Sequence, residues 1–187
     1  YGGNSTDTID GGSGADTIYA GAGSDTIIAD QADTLIDGGS GTDTLSVGAN
    51  FTSTSDAQIV NIENVLITTG GLTLNLSNQT EAFTITGSSG ADTIYGGSGN
   101  DYLIGGNGND VLYGGAGADH FQFTTTPNTT TNVDTIRDFT PGTDKIDLEG
   151  DIFAGIGGSL SSSEFRSGAG VTTANNSTQR IIYNTTT

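Results

Sequence analysis

The sequence predicts an all-β fold, a right-handed parallel β-roll or β-solenoid. Two observations support this prediction. Glycine accounts for 31 of the 187 residues and proline for only 2, a composition typical of a repeat. Aspartates recur with a nine-residue period, and an apolar residue follows each of them two positions later. A short fixed period of this kind is typical of coils that stack on one another and share a core.

Each nonapeptide contains a short strand and a glycine-rich half-turn. In three residues such as Thr17-Ile18-Tyr19, the middle side chain points to one face and its neighbours to the other, so one residue per unit enters the core. The glycines before the strand permit the positive φ angles of a tight turn. Two nonapeptides therefore form one flattened rung, and stacked rungs place equivalent aspartates in columns, ~4.8 Å apart.

Residues 1–46 form the first predicted array. Its aspartates are Asp7, Asp16, Asp25, Asp33 and Asp43, and the apolar residues that follow them are Ile9, Ile18, Ile27, Leu35 and Leu45. The step from Asp25 to Asp33 is one residue short and the next step one residue long, and glycines are missing around Gln31. We expect one irregular turn there, with Asp16 and Asp33 on one edge and the other three aspartates on the opposite edge.

Residues 47–86 lack the aspartate motif but alternate apolar and polar residues, which predicts strands. We interpret this stretch as a metal-free section of the same solenoid, with Leu72, Leu74 and Leu76 facing inward. A small separate β-domain is the alternative.

Residues 87–123 form the second array, in which the nine-residue spacing has no interruption. Asp92, Asp101, Asp110 and Asp119 precede Ile94, Leu103, Leu112 and Phe121. Residues 124–187 are expected to be β-rich, with a strand at Arg180-Ile181-Ile182-Tyr183 and a capping box, Ser161-Ser162-Ser163-Glu164, that is typical of the start of a short helix.

The charge distribution requires cations between the rungs. The chain has 22 acidic and 4 basic residues, and the bases all lie in the last third: Arg137, Lys145, Arg166 and Arg180. Stacked carboxylates about 5 Å apart repel each other by roughly 0.8 kcal/mol even in bulk water. Carboxylate and turn carbonyl oxygens form a flexible ligand set that suits Ca²⁺ better than Mg²⁺. The same charge makes nucleic acid and anionic membranes poor partners, and no segment is apolar enough to insert into a membrane.

The units resemble the hemolysin-type repeats-in-toxin (RTX) nonapeptide, Gly-Gly-x-Gly-x-Asp-x-aliphatic-x, over residues 2–46 and 87–122. In that family each ion lies between successive rungs. The resemblance implies that several calcium ions bind between Asp7 and Asp25, Asp25 and Asp43, Asp16 and Asp33, Asp92 and Asp110, and Asp101 and Asp119. It also implies that carbonyl ligands come from Gly12, Gly14, Gly21, Gly23, Gly97, Gly99, Gly105, Asn107, Gly114 and Ala116.

The segments Asn132–Phe139 and Gly142–Leu148 are similar to those that close such β-rolls in secreted proteases and surface-layer proteins. The resemblance therefore implies a C-terminal cap at 124–187 and an extracellular or cell-surface location, reached by type I secretion. It favours a calcium-binding structural module that folds on extracellular calcium and self-associates into a surface layer (S-layer) or filament.

The sequence predicts no enzyme. The chain has one histidine, His120, at an outward position. A His-Glu-x-x-His metal site needs two histidines and is therefore excluded. Two alternative functions stay open: the non-catalytic C-terminal β-roll of a type I-secreted hydrolase such as a protease or lipase, and an adhesin or ice-binding arm. Outward threonine ladders favour the second alternative, whereas outward tyrosines such as Tyr19, Tyr95 and Tyr113 favour lateral contacts between copies.

Overall fold

In this computed structural model, residues 1–126 and 130–151 are described, together with two later strands. The chain divides into two units, Tyr1–Leu148 and Glu149–Thr187. The strands are β1 (Thr8–Asp10), β2 (Thr17–Ala22), β3 (Thr26–Ala29), β4 (Leu35–Ser40), β5 (Thr44–Val47), β6 (Phe51–Thr52), β7 (Ile59–Val60), β8 (Asn64–Ile67), β9 (Thr73–Asn75), β10 (Thr84–Thr86), β11 (Thr93–Gly97), β12 (Tyr102–Ile104), β13 (Val111–Gly115), β14 (His120–Phe123), β15 (Thr135–Ile136), β16 (Lys145–Leu148), β17 (Phe165–Gly168) and β18 (Ile181–Asn184).

The first unit is a parallel β-solenoid, as predicted. Strands β1, β3, β5, β8, β10, β12, β14 and β16 form one continuous eight-stranded face in that order. The opposite face consists of a three-stranded sheet, β2-β4-β7, and a five-stranded sheet, β6-β9-β11-β13-β15. Every strand pair is parallel, because the chain returns to the same face after each circuit.

The core lies between the two faces and receives one apolar side chain from most strands. The eight-stranded face contributes Ile27, Leu45, Val65, Ile85, Leu103 and Phe121, and the opposite face contributes Ile18, Ile36, Phe51, Ile59, Leu74, Ile94 and Leu112. All of these are at most 3% exposed, so the two columns exclude water from the centre of the coil.

The irregular turn near Gln31 changes the inward residue of β4. Ile18 pairs with Ile36, and Ile36 is fully buried whereas Leu35 is half-buried. The prediction that Leu35 enters the core was therefore wrong by one position. The extra residue that restores the register is Thr34: its N–H donates to the carbonyl oxygen of Asp16, as that of Thr26 does to Asp7, whereas the next residue, Leu35, pairs with Thr17.

Residues 47–86 belong to the same sheets as the arrays. Strand β8 pairs with β5 on one side and with β10 on the other. A 3₁₀ helix, Asp56–Gln58, widens the third coil, and the second face divides between β6 and β7 at this point. Leu74 and Leu76 are buried and Leu72 is half-buried against the core.

Strands β15 and β16 add to the two faces after the second array. In the second unit, β17 and β18 form a parallel pair, close to the strand expected at Arg180–Tyr183. The capping box at 161–164 lies outside the described residues.

Candidate metal centre

The predicted aspartates form columns along the edges of the solenoid. The pairing of Thr8 with Thr26 and of Thr26 with Thr44 places Asp7, Asp25 and Asp43 one above another. The backbone N–H of Asp7 donates to Oδ1 of Asp25 at 2.8 Å, and the N–H of Asp25 donates to Oδ1 of Asp43 at 2.7 Å. Each carboxylate thus accepts a hydrogen bond from the rung before it.

The second array repeats this arrangement. The N–H of Asp92 donates to Asp110 at 2.8 Å, and the N–H of Asp101 donates to Asp119 at 2.9 Å. Four of the five predicted aspartate pairs are therefore joined by this hydrogen bond. In the fifth pair, the N–H of Thr34 donates to the carbonyl oxygen of Asp16 at 2.8 Å, as the N–H of Thr26 does to that of Asp7, so Asp33 also stands next to Asp16. Burial raises the pKa of Asp33, and the nearby charges of Asp30 and Asp16 add to the effect.

The second carboxylate oxygen of most of these residues is buried and has no hydrogen-bond partner. This applies to Oδ2 of Asp16, Asp25, Asp43, Asp101, Asp110 and Asp119 and to Oδ1 of Asp33. Asp92 differs, since Ser88 donates to its Oδ2 through both N–H and hydroxyl. Buried polar atoms are rarely left unpartnered, and a row of them at equivalent positions needs a common explanation. A bound cation supplies it.

Burial makes the charged form of these carboxylates unfavourable. Desolvation raises the pKa of Asp101 to about 7, and the neighbouring Asp119 adds to the effect. Desolvation likewise raises the pKa of Asp33, Asp43, Asp110 and Asp119. Neutralising charge is therefore required at both edges, and residues 1–136 contain no Lys or Arg that could provide it.

The glycine corners place backbone carbonyls in the gap between rungs. A Cβ on Gly39 or Gly115 would overlap the carbonyl oxygen of the glycine 18 residues earlier, Gly21 or Gly97 respectively. Gly41 and Gly117 stand in the same relation to Gly23 and Gly99. Each of these four carbonyl oxygens therefore points along the stack toward the next rung, and only glycine leaves room for it.

Other carbonyls point back from the next rung and meet the unpartnered carboxylates. A Cβ on Gly96 would overlap Oδ2 of Asp101 and stand 2.6 Å from the carbonyl oxygen of Gly114. A Cβ on Gly38 would stand 2.7 Å from Oδ2 of Asp43 and overlap the carbonyl oxygen of Asn61. Oxygen atoms from two rungs thus converge, and this all-oxygen set fits Ca²⁺.

A similar convergence occurs at the first corner, where a Cβ on Gly2 would stand 2.9 Å from Oδ2 of Asp7 and overlap the carbonyl oxygen of Ala20. Neither Ala20 nor Asn61 was among the predicted ligands. The sequence carried little signal for them, because every residue has a backbone carbonyl group. Whether that group can bind a metal depends on the direction in which it points, and the residue type does not show this direction.

The other predicted carbonyl residues occupy different positions. Gly12 and Gly14 have φ angles of 84° and 129°, and a Cβ on either would meet nothing within 4 Å. The carbonyl oxygen of Gly105 points back toward Gly87. Asn107 and Ala116 donate their N–H groups to the carbonyl oxygens of Ser88 and Gly97 at 3.0 Å. Their roles as calcium ligands stay predictions.

Three carboxylates outside the predicted set extend the columns. The N–H of Asp43 donates to Oε2 of Glu63 at 2.8 Å. Those of Asp110 and Asp119 donate at 3.1 Å to Oδ1 of Asp134 and of Asp144. One sequence signal could have found two of them. In Asp134-Thr135-Ile136 and Asp144-Lys145-Ile146, an apolar residue follows the acidic residue two positions later, as in the repeats, although the glycines of the nonapeptide are missing.

At two positions, the stretch between the arrays uses neutral amides to hold backbone groups at its edges. Gln58 is 2% exposed and donates to the carbonyl oxygen of Asp33 at 2.6 Å. Gln79 is fully buried and donates to the carbonyl oxygen of Ser55 at 2.7 Å. These side chains satisfy backbone groups at the edge without bringing charge.

The described residues contain no group of three or more His, Cys, Asp and Glu side chains that could hold a metal by themselves. The carboxylates instead come in stacked pairs beside carbonyl groups. His120 lies on the outer surface, as expected, where it stacks on Tyr102 and its Nδ1 lies 2.5 Å from Oδ2 of Asp147. In the part of the chain that the structure describes, no helix has the length and apolar character of a membrane span.

The comparison with family models agrees with this geometry. The model of the RTX calcium-binding nonapeptide repeat (4 copies) matches residues 1–36, 35–50 and 84–121, which contain all nine predicted aspartates. No curated protein matches the chain at a significant level. These repeats are calcium-binding motifs, so the ion implied by the oxygen ligands is Ca²⁺, and the coil they build is a structural module. The two arrays of the chain are therefore RTX calcium-binding nonapeptide repeats.

Proposed function

We propose that the chain is a structural module of a secreted or cell-surface protein, and that it folds when it meets extracellular calcium. The observation that carries this proposal is the row of buried carboxylate oxygens without partners at both edges. Five of these aspartates already hold the preceding rung through Oδ1, namely Asp25, Asp43, Asp101, Asp110 and Asp119. A calcium ion bound at Oδ2 would join the same aspartate to the turn carbonyls.

Calcium dependence follows from the small core. One apolar side chain per nonapeptide contributes little burial compared with the entropy lost when nine residues become ordered. Binding free energy of the ions then becomes folding free energy. A chain of this kind stays extended where calcium is scarce and folds where calcium is abundant, which suits export in an unfolded form through a type I secretion route. RTX repeats are typical of secreted bacterial proteins, which supports the extracellular location.

Small-angle X-ray scattering tests the folding step. In calcium-free buffer we expect a radius of gyration approaching that of an unfolded chain of this length, about 46 Å. In millimolar calcium the radius should fall to well below that value. A compact chain in both buffers would contradict the proposal.

We further propose that copies associate side by side in a surface layer or filament. Outward aromatic rings support this, because Tyr95 and Tyr113 stack at 4.3 Å on one face, and Tyr1 and Tyr19 stack at 5.1 Å. On the eight-stranded face, Ile28, Leu66 and Tyr102 are 40% to 43% exposed. Rows of exposed apolar side chains are typical of interaction surfaces.

Electron microscopy with and without calcium tests the association. Ordered arrays that disappear on chelation are the expected result, and dispersed monomers in both conditions would contradict it. The replacement of Tyr95 and Tyr113 by Ser should abolish the arrays while leaving the calcium-dependent fold intact, since both side chains face outward.

A further inference from the structure

The two carboxylate columns continue past the last nonapeptide. Val111 pairs with Thr135, so Asp110 stands opposite Asp134 on one edge. His120 pairs with Lys145, so Asp119 stands opposite Asp144 on the other edge. Both Asp134 and Asp144 lie beyond residue 121, where the match to the repeat model ends.

The hydrogen bonds at these two junctions have the same form as those inside the array. An aspartate N–H donates to Oδ1 of the acid in the next coil, at 3.1 Å at both junctions, compared with 2.8 Å and 2.9 Å between the repeats. The following strand is held in the same way, since the N–H groups of Thr135 and Lys145 donate to the carbonyl oxygens of Asp110 and Asp119.

Each junction also contains a buried carboxylate oxygen with no partner. Asp110 and Asp119 are fully buried, and Oδ2 of each lacks a hydrogen bond. At the second junction, Asp144 is 8% exposed, and Asp138 accepts the N–H groups of Gly114 and Gly115 at the same turn. Negative charge is therefore concentrated where the array meets the next coil.

The basic residues that the structure describes near the junctions, Arg137 and Lys145, are both exposed. Lys145 lies on the outer face in register with His120. Within the described ranges 1–126 and 130–151, the single close contact between a basic and an acidic side chain is that of His120 with Asp147. The junctions resemble the gaps between repeats in register, hydrogen bonding, burial and unbalanced charge, although they lack the Gly-Gly-x-Gly turn on their C-terminal side.

We propose that Ca²⁺ binds at both junctions, between Asp110 and Asp134 and between Asp119 and Asp144, and fastens residues 130–148 to the second array. This inference rests on the proposed calcium-dependent function and adds two sites that the nonapeptide pattern does not assign. It makes Asp134 and Asp144 calcium ligands as well as hydrogen-bond acceptors.

Isothermal titration of the full chain with calcium tests the proposal with the variants Asp134→Asn and Asp144→Asn. Asparagine keeps the Oδ1 acceptor and the side-chain shape but removes the charge. Each variant should bind one ion fewer than the unmodified chain, or bind one ion at least tenfold more weakly. Glu149→Gln, which removes an exposed charge nearby in sequence, should leave the binding unchanged.

If both aspartate variants bind as many calcium ions as the unmodified chain, with the same affinities, the two junction sites are overturned and the proposed function is left intact. Failure of the unmodified chain to bind calcium would overturn both. Should a variant fail to fold, anomalous diffraction from crystals of the unmodified chain grown in calcium decides. Peaks at both junctions support the sites, whereas peaks confined to gaps between repeats contradict them.

Discussion

In most repeats the aspartate has two separate tasks at its two carboxylate oxygens. Oδ1 accepts the N–H of the preceding rung, and in most repeats Oδ2 is buried without a partner. An asparagine could perform the first task, but it could not supply the charge that a divalent cation requires. The choice of Asp at this position is therefore explained by the metal and not by the hydrogen bond.

Asp101→Asn tests this division. The amide keeps the acceptor for the N–H of Phe83, which Asp101 holds at 2.8 Å. We expect calcium affinity at that site to fall at least tenfold, while the residual β-structure of the calcium-free chain does not decrease, because a buried charge is removed. Calcium titration and circular dichroism in chelator measure the two effects. Asp56→Asn is the matched control, since Asp56 is exposed and also accepts a backbone N–H, at 2.8 Å.

The raised pKa values predict opposite pH effects with and without calcium. Burial raises the pKa of Asp101 and of Asp134 to about 7, compared with 3.8 for a free side chain. Such a group stabilises the fold at low pH, and this contribution is lost as the pH rises from about 4 through 7. In calcium-free buffer, β-structure should therefore decrease as the pH is raised through this window.

In saturating calcium the trend should reverse, because the ions bind deprotonated carboxylates and protons compete with them. Circular dichroism at a series of pH values measures both trends. The same sign of pH dependence in the two buffers would contradict the assignment of these carboxylates as ligands.

Glycine substitutions separate backbone strain from crowding between rungs. Gly12 and Gly115 have φ angles of 84° and 99°, but a Cβ on Gly12 meets nothing within 4 Å, whereas one on Gly115 would overlap the carbonyl oxygen of Gly97. Gly12→Ala should destabilise the calcium-bound chain by about 1–2 kcal/mol from strain alone. Gly115→Ala should cost more in urea denaturation, and equal effects would show that the overlap is relieved easily.

At the scale of the elements, the strands between the arrays differ from the repeats because neutral side chains hold part of their edges. Gln58 and Gln79 bridge successive rungs there, and Phe51, Leu74, Leu76 and Phe83 add large buried side chains. Burial per residue is therefore greater in this section, and of its acidic residues Glu63 extends a carboxylate column. We expect this section to keep residual structure when calcium is removed.

Hydrogen exchange of the full chain in calcium-free buffer measures this difference. The N–H of Ser53, bonded to the carbonyl oxygen of Asn75, should exchange more slowly than those of Thr44 and His120, which depend on the aspartate columns. Addition of calcium should protect all three. Uniform exchange across the chain without calcium would contradict the difference between the sections.

The sequence predicted these elements where local rules determine them. Gly and Asp at fixed spacing predicted the solenoid, because corners, strands and columns all follow from one nonapeptide. The register after the turn at Gln31 could not be predicted, since it depends on where the loop absorbs one residue. Glu63, Asp134 and Asp144 were missed because stacking, and not the glycine motif, brings them into the columns.

At the scale of the whole chain, a net charge of −18 opposes any compact state. Much of this charge lies in two columns of buried carboxylates. Burying these carboxylates removes their hydration, which is unfavourable unless cations are buried beside them. We therefore expect the core and the hydrogen-bonded sheets to complete the fold only after this repulsion is neutralised, with calcium as a structural component of the solenoid.

Far-UV circular dichroism of the full chain, recorded in chelator, then in millimolar Ca²⁺ and again in excess chelator, tests this claim most directly. We expect a largely disordered spectrum, then a β-sheet spectrum, then a return to disorder, with Mg²⁺ at the same concentration unable to replace Ca²⁺. A β-sheet spectrum that is already complete in chelator and does not change on addition of calcium would contradict the account.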